Sequence, residues 1–322
     1  MIKLLAALAA SLHLVPLPGA LLIADRGNNR MLLVDAQKHV LWHFPNARDL
    51  AKGVHLNFDD DTFVEPGGTA IVSNEEEAHT IVSVNIKTHA RTHLYGTPGV
   101  RGSGPDELNT PDDAYVLPNG TLTVADAYNC RVLFIRSHRI VRQIGTTGVC
   151  RHDPPTYLGA VNGDTPLPDG GVLVSEIQGS WIDDLSASGH LRWAVQAPVS
   201  YPSDPQMLAN GTILLADYAS PGAALIIDRH GKVLWRYGPA TGFGALDHPS
   251  LAMQLPNGDI AINDDFRDRV VIVDPRKNAI VWEYGRPNAP GTGADRLKTP
   301  DGMDFVPLAA GNRPLWAEVH HP

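Results

Sequence analysis

A motif that returns every 41–52 residues, short β-branched runs set between Asn-Gly and Asp-Gly turns, and a final run left without outer partners point to one architecture. They predict an all-β chain: a six-bladed β-propeller of four-stranded antiparallel blades, its ring closed by N- and C-terminal strands that share one blade. The motif is two short strands around a Pro/Gly turn, ending in an acid. It is clearest as Leu117-Pro-Asn-Gly-Thr-Leu-Thr-Val-Ala-Asp126 and Leu255-Pro-Asn-Gly-Asp-Ile-Ala-Ile-Asn-Asp264, with looser copies at Leu17–Asp25, Glu65–Asn74, Leu167–Glu176 and Leu208–Asp217. Each copy is followed by an apolar strand, a turn and another strand, and four of those last strands carry Trp42, Trp193, Trp235 or Trp282. Two longer segments, Tyr95–Asp112 and Tyr284–Asp301, align without a gap and agree at ten positions.

In chain order, residues 1–19 are expected to be a signal peptide or a leading strand. Lys3 and the apolar stretch Leu4–Leu14 have signal-peptide length, but the small-x-small triplet Ala7-Leu8-Ala9 lies inside that stretch rather than after it. The alternative is a strand at Leu12–Val15. Residues 20–307 form the propeller and 308–322 a loose tail. The inner strand Thr299–Pro307 has no outer strands after it, whereas the chain begins near residue 20 with outer strands, so the two ends complete one blade and leave no exposed sheet edge.

The composition narrows the function. Of 322 residues, 43% are apolar and 19% charged, which suffices for a large core, and 30 Gly with 26 Pro fit many tight turns. The net charge of −9 removes any electrostatic footprint for nucleic acid or an anionic membrane. No other run approaches the length of a membrane span, so no span is expected; the chain is expected to be a monomer, extracellular or periplasmic if residues 1–19 are a signal peptide and cytoplasmic if they are not. The Walker, Rossmann, Gly-x-Ser-x-Gly and His-Glu-x-x-His patterns are all missing, which argues against the common nucleotide-binding and hydride-transfer folds.

The segments Ala24-Asp25-Arg26-Gly27-Asn28-Asn29-Arg30 and Ala125-Asp126-Ala127-Tyr128-Asn129-Cys130-Arg131 resemble the signature of NHL-repeat propellers. Gly231-Lys232-Val233-Leu234-Trp235 is similar to PQQ-type propeller repeats, although that family's cofactor motifs are not evident here. His248–Gly258 resembles the bacterial arylsulfotransferase propellers, and that resemblance implies a nucleophilic role for His248. These likenesses speak to fold; function must be argued from a site.

Asp and Arg five residues apart recur as Asp25/Arg30, Asp126/Arg131 and Asp264/Arg269, and are read as ion pairs that pin the loop between a blade's second and third strands. Three copies abandon the pair: Asn74 is followed at the same offset by His79, Glu176 by Trp181 and Asp217 by Gly222. Those loops are freer to meet a ligand, which makes Asn74, Glu75, Asp217 and Trp181 candidate ligand-binding residues.

The starts of the inner strands carry the more specific signal. Asp60, Asp112, Asp164, Asp204, Asp301 and His248 all precede inner strands and should converge on one mouth of the central channel, because adjacent strands run antiparallel. Five carboxylates round one opening need raised pKa values or a bound cation. Oxygen ligands without cysteine suit Ca²⁺ first, with Mg²⁺ or Zn²⁺ also compatible, while turn-capping is the competing role for each Asp.

The leading functional expectation is a propeller binding a small molecule, sugar, peptide or protein partner at this acidic mouth. The rival is an enzyme on the same face. It would be a metal-assisted lyase or lactonase-like hydrolase, or a sulfotransferase, with His248, His55 and Glu176 as candidate catalytic residues. Cys130 and Cys150 fall at adjacent strand ends. They form either a disulfide that closes a short loop and contributes ~3 kcal/mol, or two reduced, buried thiols.

Overall fold

The computed structural model describes residues 15–321, so the expected signal segment lies mostly outside the described residues. Six four-stranded antiparallel sheets are arranged as blades, with a two-stranded ribbon after them. Blade 1 contains β1 (Ala20–Asp25), β2 (Arg30–Asp35) and β3 (Val40–Phe44), followed by the one-turn helix α1 (Ala47–Ala51). Blade 2 is β4 (Asp59–Val64), β5 (Ala70–Glu75), β6 (Thr80–Asn85) and β7 (Arg91–Tyr95). Blade 3 is β8 (Pro111–Val116), β9 (Leu122–Asp126), β10 (Arg131–Arg136) and β11 (Arg139–Ile144).

Blade 4 is β12 (Val161–Pro166), β13 (Val172–Glu176), β14 (Trp181–Leu185) and β15 (Leu191–Gln196). Blade 5 is β16 (Pro202–Met207), β17 (Ile213–Asp217), β18 (Ala223–Ile227) and β19 (Val233–Tyr237). Blade 6 is β20 (Ala252–Gln254), β21 (Ile260–Asp264), β22 (Arg269–Asp274) and β23 (Ala279–Gly285). The ring closes as the sequence predicts. β24 (Met303–Val306) pairs with β1, Ala20 opposite Val306 and Ile23 opposite Met303, and becomes the inner strand of blade 1. Among the described residues no helix is long and apolar enough to cross a membrane.

The repeated turn explains the repeated sequence. In Leu117–Thr121 the Leu117 N–H donates to the Thr121 carbonyl at 2.8 Å and the Asn119 side chain accepts from Thr121 N–H. Gly120 takes φ +77°, a left-handed value that favours glycine. Leu255–Asp259 repeats the 2.8 Å bond. Behind the inner strands, apolar side chains such as Leu21, Val72, Val124 and Ile272 pack between blades. Two of the recurrent tryptophans staple neighbouring blades. Trp42 donates its indole N–H to the Ile86 carbonyl at 3.0 Å, and Trp282 donates to Ala36 at 2.9 Å.

The tail is not loose. β25 (Leu308–Ala309) pairs with β26 (Arg313–Pro314), and Trp316 meets the Trp42 ring edge-on at 5.8 Å. His321 donates from Nε2 to the Val64 carbonyl at 2.9 Å and lies edge-on to Phe63 and Tyr115. Phe63 and Tyr115, buried in the finished fold, give the tail an apolar surface to cover at that end of the channel, which its composition alone does not reveal.

Candidate functional site

The three Asp–Arg pairs form as expected, at 2.6, 2.6 and 2.7 Å for Arg30–Asp25, Arg131–Asp126 and Arg269–Asp264. The acid's other oxygen accepts a backbone N–H from the loop that leads to the next inner strand: Lys298 for Asp25, Asn109 for Asp126 and Asp247 for Asp264. The equivalent residue in blade 2 is Glu75, not Asn74, since Glu75 pairs across with Thr80 as Asp25 does with Arg30. Its cation comes from the fourth strand, with Arg91 at 2.6 Å. Asp217 caps Ser200 and Tyr201 N–H at 3.0 and 3.2 Å. Glu75 and Asp217 therefore serve the scaffold.

The mouth is built from two concentric sets of residues. The first is the start of the inner strands, where β-bulges in blades 2, 4 and 5 set two residues opposite one, and a register shift in blade 3 adds Asp112. In blade 2 the bulge aims both Asp60 and Asp61 at the channel. Asn74 braces it by accepting Asp61 N–H at 3.0 Å and donating to the Asp112 and Pro111 carbonyls. The second set is the residue directly after each strand-end acid: Arg26, Glu76, Tyr218 and Asp265 reach inward from blades 1, 2, 5 and 6. Sequence reasoning missed this set, although stepping one residue along its own repeat would have found it.

Together these residues line a cavity of about 140 Å³ bounded by Asp60, Asp61, Glu76, Asp112, Asp204 and Asp301, with Arg26, Asn162, Tyr201 and Tyr218. Arg26 is the guanidinium in this acidic ring. It contacts Asp60 at 2.7 Å and Asp301 at 2.6 Å, pairs with Glu76 and lies over the Phe58 ring at 4.5 Å. Burial works against its charge, but Asp60, Asp301 and Glu76 outweigh burial and hold it protonated.

Burial pushes Asp60 well above the usual carboxylate range, with Arg26 opposing the shift. Asp61, Asp112 and Asp204 are also pushed well up, by burial first and then by each other and their acidic neighbours. Asp164 sits deeper than the mouth, against Asp113, whose carboxyl is raised to about 7 by burial. The ring foreseen from sequence thus divides. Asp60 and Asp301 hold Arg26, Asp112 and Asp204 face the cavity, and Asp164 belongs to an inner acidic layer.

His248 sits on the rim. Its Nδ1 is 2.6 Å from Asp247 Oδ1, and its ring meets Tyr218 at 4.9 Å and the half-exposed Phe266 at 4.3 Å. His55 is not at the mouth. It lies in a groove with His43, Leu50 and Arg30, because α1 and the loop after it carry the chain outward before β4 returns to the channel. Glu176 and Trp181 are likewise outside the mouth. Trp181 stacks on His152 at 4.0 Å, and His152 Nδ1 is 3.2 Å from Glu176 Oε2. Cys130 and Cys150 are joined as a disulfide, which decides between the two states left open by the sequence.

A larger cavity of about 790 Å³ opens at the opposite end of the channel, lined by Phe63, Tyr115, Met253, Asp304 and Phe305 among others. It is more apolar and contains one carboxylate, so the smaller mouth concentrates the charged chemistry.

No family model matches the chain, and no curated protein matches it. Among solved structures the chain is similar to a Bacteroides caccae protein of unknown function, at 15% identity and a TM-score of 0.61, covering 89% of this chain and 98% of that one. It is similar to a catalytically inactive Staphylococcus aureus virginiamycin B lyase with quinupristin, at 15% identity and a TM-score of 0.51, covering 80% and 82%. It is also similar to a chain of a nidogen/laminin complex, at 12% identity and a TM-score of 0.60, covering 88% and 97%. At these identities the likeness carries the propeller fold.

Proposed function

We propose that this protein is a ligand-binding propeller whose acidic mouth takes a divalent cation, Ca²⁺ in the first instance, and through it an oxygen-rich small molecule or sugar. One observation carries the reading: six carboxylates line a 140 Å³ cavity that holds a single guanidinium. Arg26 engages Asp60, Glu76 and Asp301, leaving Asp61, Asp112 and Asp204 without a cation. Buried Asp61 Oδ1, Asn162 Oδ1 and Asp204 Oδ1 have no hydrogen-bond partner. Orphaned, hard oxygen donors suit Ca²⁺, so Asp61, Asn162 and Asp204 would hold it together with Asp112, whose carboxylate lines the same cavity and accepts from Asn162 Nδ2. The ion would supply positive charge and open coordination positions. The Tyr201, Tyr218, His248 and Phe266 rings above would stack on a sugar or another flat ligand. The disulfide suits an extracellular or periplasmic setting, and the NHL-like Asp–Arg loops serve as scaffold.

Calorimetric titration of chelator-treated protein with CaCl₂ tests this reading. Saturable binding that is abolished in Asp112→Asn, with the fold intact by circular dichroism, is expected. Absence of binding heat together with an unchanged melt would reject it.

A second reading is favoured by the His248–Asp247 contact beside Tyr218: the same mouth acts as a lyase or lactonase-like centre with His248 as general base. One fold neighbour is a lyase solved with quinupristin, which makes quinupristin the first substrate to try. On this reading, His248→Ala abolishes turnover without moving the melting temperature. No turnover by the wild type above a buffer blank counts against it.

A further inference from the structure

Blade 4 departs from the repeat in a way the mouth does not explain. Where three blades set an Arg against the strand-end acid, blade 4 has Trp181, so Glu176 is buried without a guanidinium. The chain then adds a second buried acid. Asp183, two residues along β14 on the same face as Trp181, is fully enclosed, neither of its carboxyl oxygens accepts an N–H or hydroxyl, and its carboxyl faces that of Glu176, the two acids sharing a hydrogen bond when one is protonated. Glu176 Oε1 likewise accepts no N–H or hydroxyl.

The nitrogen facing both acids is His152 Nδ1, at 3.2 Å from Glu176 and 4.0 Å from Asp183. One donor atom from each residue lies within 4.8 Å of the others. Trp181 stacks on the imidazole with the planes 3° apart, which fixes the ring's orientation. A Cβ at Gly159 would meet Glu176 Oε2 at 2.8 Å, so glycine there leaves the carboxylate room. The loop carrying His152 is anchored by the Cys130–Cys150 disulfide and by reciprocal backbone bonds between Asp153 and Tyr157. His152 is partly exposed and gives solvent a way in.

We infer that His152, Glu176 and Asp183 form a binding site for one divalent transition metal ion, of which Zn²⁺ fits best. An imidazole with two carboxylates is a borderline donor set that favours Zn²⁺ over Ca²⁺, and three protein ligands leave a coordination position open to water or a ligand. Trp181, foreseen as a ligand-binding residue, acts as the positioning residue for His152. The site is separate from the mouth and does not rest on its occupancy.

The test is calorimetric titration of chelator-treated protein with Zn²⁺, repeated in His152→Ala and Asp112→Asn, with Co²⁺ absorption as a second readout. The expected result is one Zn²⁺ per chain in this site. Affinity should fall more than about 100-fold in His152→Ala, beyond the loss that outer-shell changes cause, and stay unchanged in the mouth variant Asp112→Asn. Excess Ca²⁺ should not displace the ion. His152 lies on a loop, so its variant keeps the test open even where Asp183→Asn does not fold. No Zn²⁺ binding by the wild type, or equal affinity in His152→Ala, would overturn the proposal. Neither result bears on Ca²⁺ at the mouth.

Discussion

At the residue scale the mouth is governed by Arg26. It occupies the place among Asp60, Glu76 and Asp301 that a metal would otherwise compete for. Replacing it with Gln leaves the buried acids Asp60 and Asp301 and the partly exposed Glu76 uncompensated, a change that costs about 3–5 kcal/mol where a buried pair is broken. The expected outcome for Arg26→Gln is a lower melting temperature in chelator that CaCl₂ restores, together with tighter Ca²⁺ binding; thermal melts and calorimetry read both. A melt that CaCl₂ leaves unmoved would place the cation elsewhere. Arg26 stands directly after the repeat's strand-end acid Asp25 and so could have been placed near the mouth from the sequence, but its engagement of Asp60 and Asp301 depends on three-dimensional closure. Asp112, Asp204 and Asp301 were legible, because a repeat that places a residue at equivalent strand starts must place it at one end of the ring. Asn74 and Glu75 were displaced by one position in that reading. The turn before β5 is one residue longer than in the other copies, since Glu65 N–H donates to the carbonyl of Ala70, five residues on, where Leu117, Leu167, Leu208 and Leu255 reach the fourth residue.

At the scale of elements, blade closure and site assembly are the same event. β24 brings Asp301 to the mouth, where Asp301 N–H donates to the Ala24 carbonyl at 3.0 Å and Gly302 N–H donates to the Asp60 carbonyl at 3.1 Å. A Cβ at Gly302 would come within 2.4 Å of Asp61 Cα, so the closing strand and blade 2 approach too closely for any side chain there. Gly302→Ala is therefore expected to lower the melting temperature and weaken Ca²⁺ binding together, whereas Asp112→Asn should affect binding with little loss of stability. Equal melting of Gly302→Ala and wild type would show that closure does not depend on this contact. The strands, hairpins and shared blade were readable because alternation and turn chemistry are local. The docking of the tail under the channel was not, since it depends on an aromatic surface made by Phe63 and Tyr115 from two different blades.

At the scale of the whole molecule, the channel is a stack of buried acids whose protonation couples stability to pH. Folding raises Asp113 from 3.8 to about 7, so across that interval the native chain keeps a proton that the unfolded chain has released. The stability this gives is complete below the unfolded value and is lost as the pH climbs through about 7. Asp264, raised to about 6 by burial, acts in the same sense. The metal-free protein should therefore melt at progressively lower temperature between about pH 4 and 7, and Asp113→Asn should flatten that slope. A melting temperature that rises across this interval would contradict the assignment. Bound Ca²⁺ would offset the loss by favouring the ionised carboxylates, which gives the acidic channel a role beyond its own scaffold.

The mouth formed by the inner-strand starts is proposed to hold a cation. Anomalous diffraction from crystals soaked in CaCl₂ after chelation tests it most directly. A peak among Asp61, Asp112, Asn162 and Asp204 is the expected result. A fully ordered mouth with no peak at saturating Ca²⁺, or a peak only outside the channel, would contradict it.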